Sequence, residues 1–131
     1  MADASPWIAI VDDDLSMLKA LRAALLHRGL QAKTFGSAEE FIDSLPAGLP
    51  ECLIVDLQMP KMSGLELHHY LMRNGLQIPT IIITAHADRV RQRSEFAGII
   101  AVLPKPLEKA SLFAAIDATS KSKDIRDHRP S

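Results

Sequence analysis

Along this chain, short apolar runs alternate with longer stretches in which apolar residues recur at helical spacing. Trp7–Val11, Gln31–Phe35, Cys52–Val55, Thr80–Ile83 and Ile99–Leu103 read as strands. Three of them are continuous apolar runs, the pattern of parallel strands covered on both faces. After the first strand, Leu18, Leu21 and Leu25 recur at i, i+3 and i+7, and Gly29 follows as a helix stop. Ser37 to Glu40 and Ser63 to Glu66 each match a capping box, in which the serine oxygen accepts from an early amide and the glutamate reaches back. They start the second and third helices. The spacing predicts a short, polar fourth helix over Asp88–Phe96, and Leu112, Phe113 and Ile116 give a fifth its apolar stripe. Pro46–Pro50 reads as the loop into the third strand, and the polar end, Lys121–Ser131, is expected to fray.

Five right-handed βα units make an open α/β sheet with helices on both faces, the doubly wound (βα)5 class. The expectation is a flavodoxin-like, five-stranded parallel sheet in the order 2-1-3-4-5. Composition changes this picture little. The 131 residues fit one domain, taken as 7–119 with a polar tail or linker over 120–131. With 47% apolar and 24% charged residues the chain reads as an ordinary soluble protein, and a formal net charge of −1 supplies no footprint for nucleic acid. No apolar run approaches the roughly 20 residues that span a bilayer. A lone cysteine, Cys52, and a start without a basic and apolar leader point to the cytoplasm.

Ligands of such sheets bind beyond the carboxyl ends of the strands. Asp12, Asp13 and Asp14 follow strand one, Asp56 strand three, Thr84 strand four and Lys105 strand five. Clustered carboxylates on a partly dehydrated rim raise one another's pKa unless a cation stands between them. Mg²⁺ fits, because it takes one or two carboxylates, a backbone carbonyl and a phosphate oxygen and keeps its remaining waters. Lys105 adds a mobile point charge for phosphate, and Thr84 a hydroxyl that can donate to it. Such a set suits phosphoryl transfer, with a carboxylate as the nucleophile.

Val11-Asp12-Asp13, Asp56-Leu57-Gln58-Met59-Pro60-Lys61-Met62-Ser63-Gly64, Ile82-Ile83-Thr84-Ala85 and Lys105-Pro106, in this order and spacing, resemble the signature of response-regulator receiver domains of two-component systems. Within these the chain is similar to the FixJ-like group, which shares the Asp-Leu-x-Met-Pro-x-Met-Ser-Gly loop and a histidine two places after the threonine, here His86. The resemblance implies that Asp56 is the phosphoacceptor. It implies Mg²⁺ held directly by Asp13 and Asp56, by Asp12 mainly through water, and by the backbone carbonyl of Gln58. Thr84, Ala85 and Lys105 are then the phosphate-binding and switch positions, and the Lys105–Pro106 peptide is cis, which proline makes accessible. The implied role is a signalling phosphoacceptor that assists its own phosphotransfer and dephosphorylation, rather than an enzyme turning over a substrate. Its implied partners are a sensor histidine kinase and an output domain or protein that reads the face of helix four, strand five and helix five. A phosphorylation-dependent dimer is a further expectation, and neither nucleic acid nor membrane contact is expected of this domain. The chain is either a stand-alone regulator or the receiver of a longer protein.

Two departures bear on the output side. Val102 stands where receivers usually carry Tyr or Phe, and the Thr84–Gly98 stretch is a residue shorter than in FixJ-like receivers. Other polar residues are assigned ordinary roles. Asp14 is a helix cap or a solvated charge rather than a ligand, Cys52 a small buried hydrophobe, and Trp7 a packing residue. Arg89, Arg91 and Arg93 belong to a solvated helix, and His27, His68, His69 and His128 to the surface. Two rival functions predict differently. A haloacid-dehalogenase-like phosphatase would use Asp12 as nucleophile and leave Asp56 idle, and a degenerate scaffold would need none of the acidic set.

Overall fold

Cys52, Leu53, Ile54 and Val55 have no polar face, so the strand they form is stable only where both its faces are covered. A computed structural model of the chain, describing residues 6–127 and their side chains through residue 119, meets that demand. The order is β1 Ile8–Val11, α1 Leu15–His27, β2 Ala32–Phe35, α2 Ala38–Ser44, β3 Cys52–Asp56, α3 Gly64–Arg73, β4 Thr80–Thr84, α4 Ala87–Val90, β5 Ala101–Pro104 and α5 Lys109–Asp127. Single 3₁₀ turns follow α2 at Leu45–Ala47 and α4 at Ser94–Phe96. The five strands form one parallel sheet in the order β2-β1-β3-β4-β5, as expected of a flavodoxin-like fold. Strand boundaries move by one or two residues from those read in the sequence.

Alternation along the strands divides the core. Ile8, Ile10, Ile54, Ile81 and Ile83 meet Leu18, Leu21 and Leu25 of α1 and Leu112, Phe113 and Ile116 of α5. On the opposite face Ala9, Val11, Leu53, Val55, Ile82 and Val102 meet Phe41 of α2, Leu67 and Leu71 of α3, and Val90 and Phe96. Each fully buried Leu, Ile or Phe contributes about 1.5–3 kcal/mol, so the rim is carried on a scaffold with a core on either side.

The caps aim the chain at the helices. Asp14 is the N-cap of α1, its Oδ1 accepting from the Ser16 amide at 2.9 Å and the Met17 amide at 3.4 Å. Ser63 closes a full capping box on α3: it accepts from the Glu66 amide at 3.1 Å, and the Ser63 amide donates to Glu66 Oε1 at 2.8 Å. At α2 only the first arm of the expected box forms, from the Glu40 amide to Ser37 Oγ at 3.1 Å, while the Glu40 carboxylate lies against Gly36.

Two elements differ from expectation. The helix expected over Asp88–Phe96 is one turn, Ala87–Val90, broken before the 3₁₀ turn at Ser94–Phe96. This window has few apolar residues to hold a continuous helix down, and at Arg93 the backbone is extended, with φ −76° and ψ 136°. At the other end, α5 continues to Asp127, so residues 121–127 of the expected fraying tail are helical. His128 to Ser131 lie outside the described residues.

Candidate functional site: an acidic rim at the strand ends

Because β1 and β3 are neighbours in register, with Val11 opposite Val55, the residues that follow them emerge side by side. Asp56, the last residue of β3, is paired with Ile83, and Thr84, the last of β4, with Pro104. Lys105 comes next, its amide donating to the Thr84 carbonyl at 3.1 Å. The peptide bond between Lys105 and Pro106 is cis. The sheet thus delivers residues from distant parts of the sequence to one edge.

Asp12, Asp13 and Asp56 each place a carboxylate oxygen within 4.8 Å of the others. Asp12 and Asp56 are buried, and Asp13 is exposed. One lone pair of Asp12 is already used, because the Asp14 amide donates to its Oδ1 at 2.9 Å. Across the cluster, Lys105 Nζ stands 3.2 Å from Asp56 Oδ1.

Burial pushes the Asp12 carboxyl up to about 6, with the Asp14 amide and Lys105 opposing that rise and the charges of Asp56 and Asp13 adding to it. Asp56 is also raised, again chiefly by burial, against the hydrogen bond and charge of Lys105 and an amide bond from Gln58. Two buried acids that resist ionising beside an exposed third carboxylate form an oxygen-only donor set in which one ammonium, that of Lys105, faces three carboxyl groups, so positive charge is still short. A small, hard divalent cation answers both needs.

The loop after β3 closes over Asp56 because Gly64 permits it. The Gly64 amide donates to the Leu57 carbonyl at 2.9 Å. A Cβ on Gly64 would lie 2.6 Å from the Asp56 carbonyl oxygen and 3.2 Å from Leu57 Cα, so no larger residue fits this approach. Within the loop, Lys61 adopts a left-handed φ of 68°, and Gln58 is exposed beside the cluster. Thr84 is buried, its Oγ1 accepting from the His86 amide at 3.1 Å, while Ala85 and His86 are exposed.

The residues singled out in the sequence therefore fall on one rim, apart from Val102, which is buried in β5 below it. Asp14 caps α1, Cys52 is fully buried with its thiol pushed up to about 12 by desolvation, and Trp7 packs against Phe35 at 6.4 Å beneath the Lys33 ammonium. His68 is a correction: it lies in the core face of α3, not on the surface, and burial lowers its pKa. The arginines are exposed as expected, but only Arg89 lies within the helix: Arg91, just past the end of α4, reaches the Val102 carbonyl at 3.1 Å, and Arg93 pairs with the exposed Glu95. Two contributions were missed in the sequence, the close approach at Gly64 and the Arg91 contact. Neither is marked by residue type alone.

Comparison with known proteins gives the same assignment. The family profile described as the response regulator receiver domain matches residues 8–117. The response regulator protein TodT of Pseudomonas putida is 36% identical over 122 residues, which are 92% of this chain and 54% of TodT. TmoT of Ectopseudomonas mendocina is 38% identical over 122 residues, covering 92% of this chain and 56% of its own. The chain thus spans about half the length of these relatives. Among solved structures, that of FixJ-N superposes with a TM-score of 0.79 at 31% identity, covering 100% of this chain and 99% of that one. The structure of StyR superposes with a TM-score of 0.81 at 36% identity, covering 95% and 65%. The alternating βα pattern, the acidic rim and these matches agree: the chain belongs to the family of response regulator receiver domains.

Proposed function

We propose that Asp56 accepts a phosphoryl group from the phosphohistidine of a sensor kinase, with Mg²⁺ held by Asp12, Asp13, Asp56 and the Gln58 carbonyl. The observation that carries this reading is the meeting of Asp56 with both a cation and two further carboxylates, Lys105 at 3.2 Å and Asp12 and Asp13 within 4.8 Å. The donor set fits the metal, which would neutralise charge on the transferring group. Asp56 supplies the attacking oxygen. As its bond to phosphorus forms, the bond from phosphorus to the donor's imidazole nitrogen breaks, and the electron pair stays on that nitrogen. Lys105 leaves Asp56 to pair with the phosphoryl oxygens, and the Thr84 hydroxyl and Ala85 amide bind the same group. Later hydrolysis at the same centre makes the chain a self-resetting signal rather than a turnover enzyme.

The receiver unit is residues 7–119, and the face of α4, β5 and α5 is the surface read by an output domain or protein, including through a phosphorylation-dependent dimer. A cytoplasmic setting follows from the kinase partner; among the described residues no helix is long and apolar enough to cross a membrane. Incubation with acetyl phosphate and Mg²⁺ followed by intact-mass analysis tests the assignment. One base-labile phosphoryl group is expected, lost in Asp56→Asn and with excess chelator. Labelling of Asp56→Asn to the parent's extent would move the acceptor elsewhere.

A further inference from the structure

α4 is a single turn. An i→i+4 bond runs from the Arg91 amide to the Ala87 carbonyl at 3.1 Å, and a turn this short does not hold itself in water. Burial of Ala87 and Val90 supplies part of what fixes it. The rest is a polar anchor at each end. Before the turn, the His86 amide donates to Thr84 Oγ1 at 3.1 Å; after it, Arg91 Nε donates to the Val102 carbonyl at 3.1 Å. Arg91 Nη1 also meets Asp88 Oδ1 at 2.9 Å, but the Asp88 side chain is 97% exposed, so this ion pair orients the guanidinium and adds little energy. The bond to β5 crosses between elements, at the residue where an aromatic ring would stand in the receivers this chain resembles.

We propose that Arg91 is a latch that holds α4 against β5 in the resting chain and is released when Asp56 is phosphorylated. The inference rests on the phosphoacceptor reading of Asp56. Thr84 Oγ1 is the shared part. A phosphoryl group on Asp56 presents strong acceptor oxygens beside it, and a hydroxyl drawn toward them gives up the His86 amide. The single turn then loses its first anchor and moves as a unit. The second anchor is a hydrogen bond with narrow limits of length and angle, so a shift of about 1 Å at Arg91 breaks it. Val102 has no ring to change places, and the guanidinium does that work from the helix side. Linkage requires the converse: a chain without the latch adopts the phosphorylated arrangement more readily.

The test is a beryllofluoride titration with Mg²⁺ on the full chain, read by amide chemical shifts. Arg91→Met keeps the apolar stem and removes the donor; Arg91→Ala removes both. Both variants should bind beryllofluoride about fivefold more tightly than the parent, as expected for loss of one hydrogen bond from a partly exposed side chain. Without beryllofluoride, amides of Ala87–Phe96 and Ala101–Leu103 should move toward their positions in the bound parent. An effect in Arg91→Ala alone would assign it to stem packing and overturn the latch. So would variants that keep the parent's affinity and resting shifts while the parent binds beryllofluoride, an outcome that leaves the phosphoacceptor reading standing. A parent that does not bind beryllofluoride would overturn both.

Discussion

Lys105 Nζ lies 3.2 Å from Asp56 Oδ1, and the two partners are unequally fixed: the Asp56 side chain is 7% exposed and that of Lys105 33%. The Asp56 carboxylate is held by its strand, whereas the ammonium sits on a flexible stem that can follow an incoming anion. Lys105 therefore competes with a metal for one Asp56 oxygen. In Lys105→Ala, Mg²⁺ affinity should stay at the parent's level or rise, while the effects of phosphorylation weaken. Calorimetric titration decides it, and a loss as large as that of Asp13→Ala would mean that Lys105 shapes the metal site.

Burial, with the charges of Asp56 and Asp13 adding to it, pushes the Asp12 carboxyl from 3.8 up to about 6 in the fold, opposed by the Asp14 amide and Lys105. Between these values the folded chain binds more protons than the unfolded one, so metal-free stability is highest below the window and is lost as pH rises through it. Asp56 shifts in the same direction. Asp12→Asn removes the cost of the buried charge. At pH 7.5 without divalent ions it should be more stable than the parent by about 3 kcal/mol. The gap should close toward pH 4, and also in excess Mg²⁺, which stabilises the parent by binding its folded form. Urea unfolding at the two pH values, with and without Mg²⁺, checks all of this.

Gly64→Ala places a methyl group 2.6 Å from the Asp56 carbonyl oxygen. The obstacle is backbone, which cannot swing aside. Alanine usually stabilises a helix position by about 1 kcal/mol relative to glycine, but here a net loss of about 1–3 kcal/mol is expected, with slower labelling of Asp56 as the loop is pushed off it. A variant that melts above the parent would show that the loop yields freely.

His68 is buried in α3, and desolvation, then the neighbouring His69, lowers its pKa from 6.5. A base shifted down contributes stability that is present above 6.5 and lost as pH falls below it. His68→Gln should carry a constant packing penalty but lose this slope. The difference in unfolding free energy between parent and variant should shrink from pH 7.5 to pH 5, and a pH-independent difference would refute the assignment.

Strands were the most legible part of the chain, because Leu53–Val55 and Ile81–Ile83 admit no exposed face. Asp12, Asp13, Asp56, Thr84 and Lys105 followed from position alone, since each stands at or just after a strand end in a topology that gathers those ends. His68 was readable too: Gly64, Leu67, His68 and Leu71 share one helical face, so its burial follows from spacing once the apolar members are placed. Arg91 was not. Its partner is a backbone carbonyl on another element, eleven residues away, and every residue type offers that acceptor. The close approach at Gly64 was hidden for the same reason, as a glycine in a motif does not say which atoms it faces.

The groups of the rim come from the ends of β1, β3, β4 and β5, so no segment shorter than most of the chain contains them together. A one-residue slip of β3 would turn Asp56 to the opposite face of the sheet. Competence to receive a phosphoryl group is therefore all-or-none with the fold, appearing only after the long-range strand pairings form and vanishing in the same cooperative transition. A substitution in the core, far from Asp56, then changes how many molecules can signal and leaves each competent molecule as strong as before. A loss of about 1–2 kcal/mol can lower cellular abundance several-fold, and such variants would present as a reduced dose of regulator with an unaltered response per molecule.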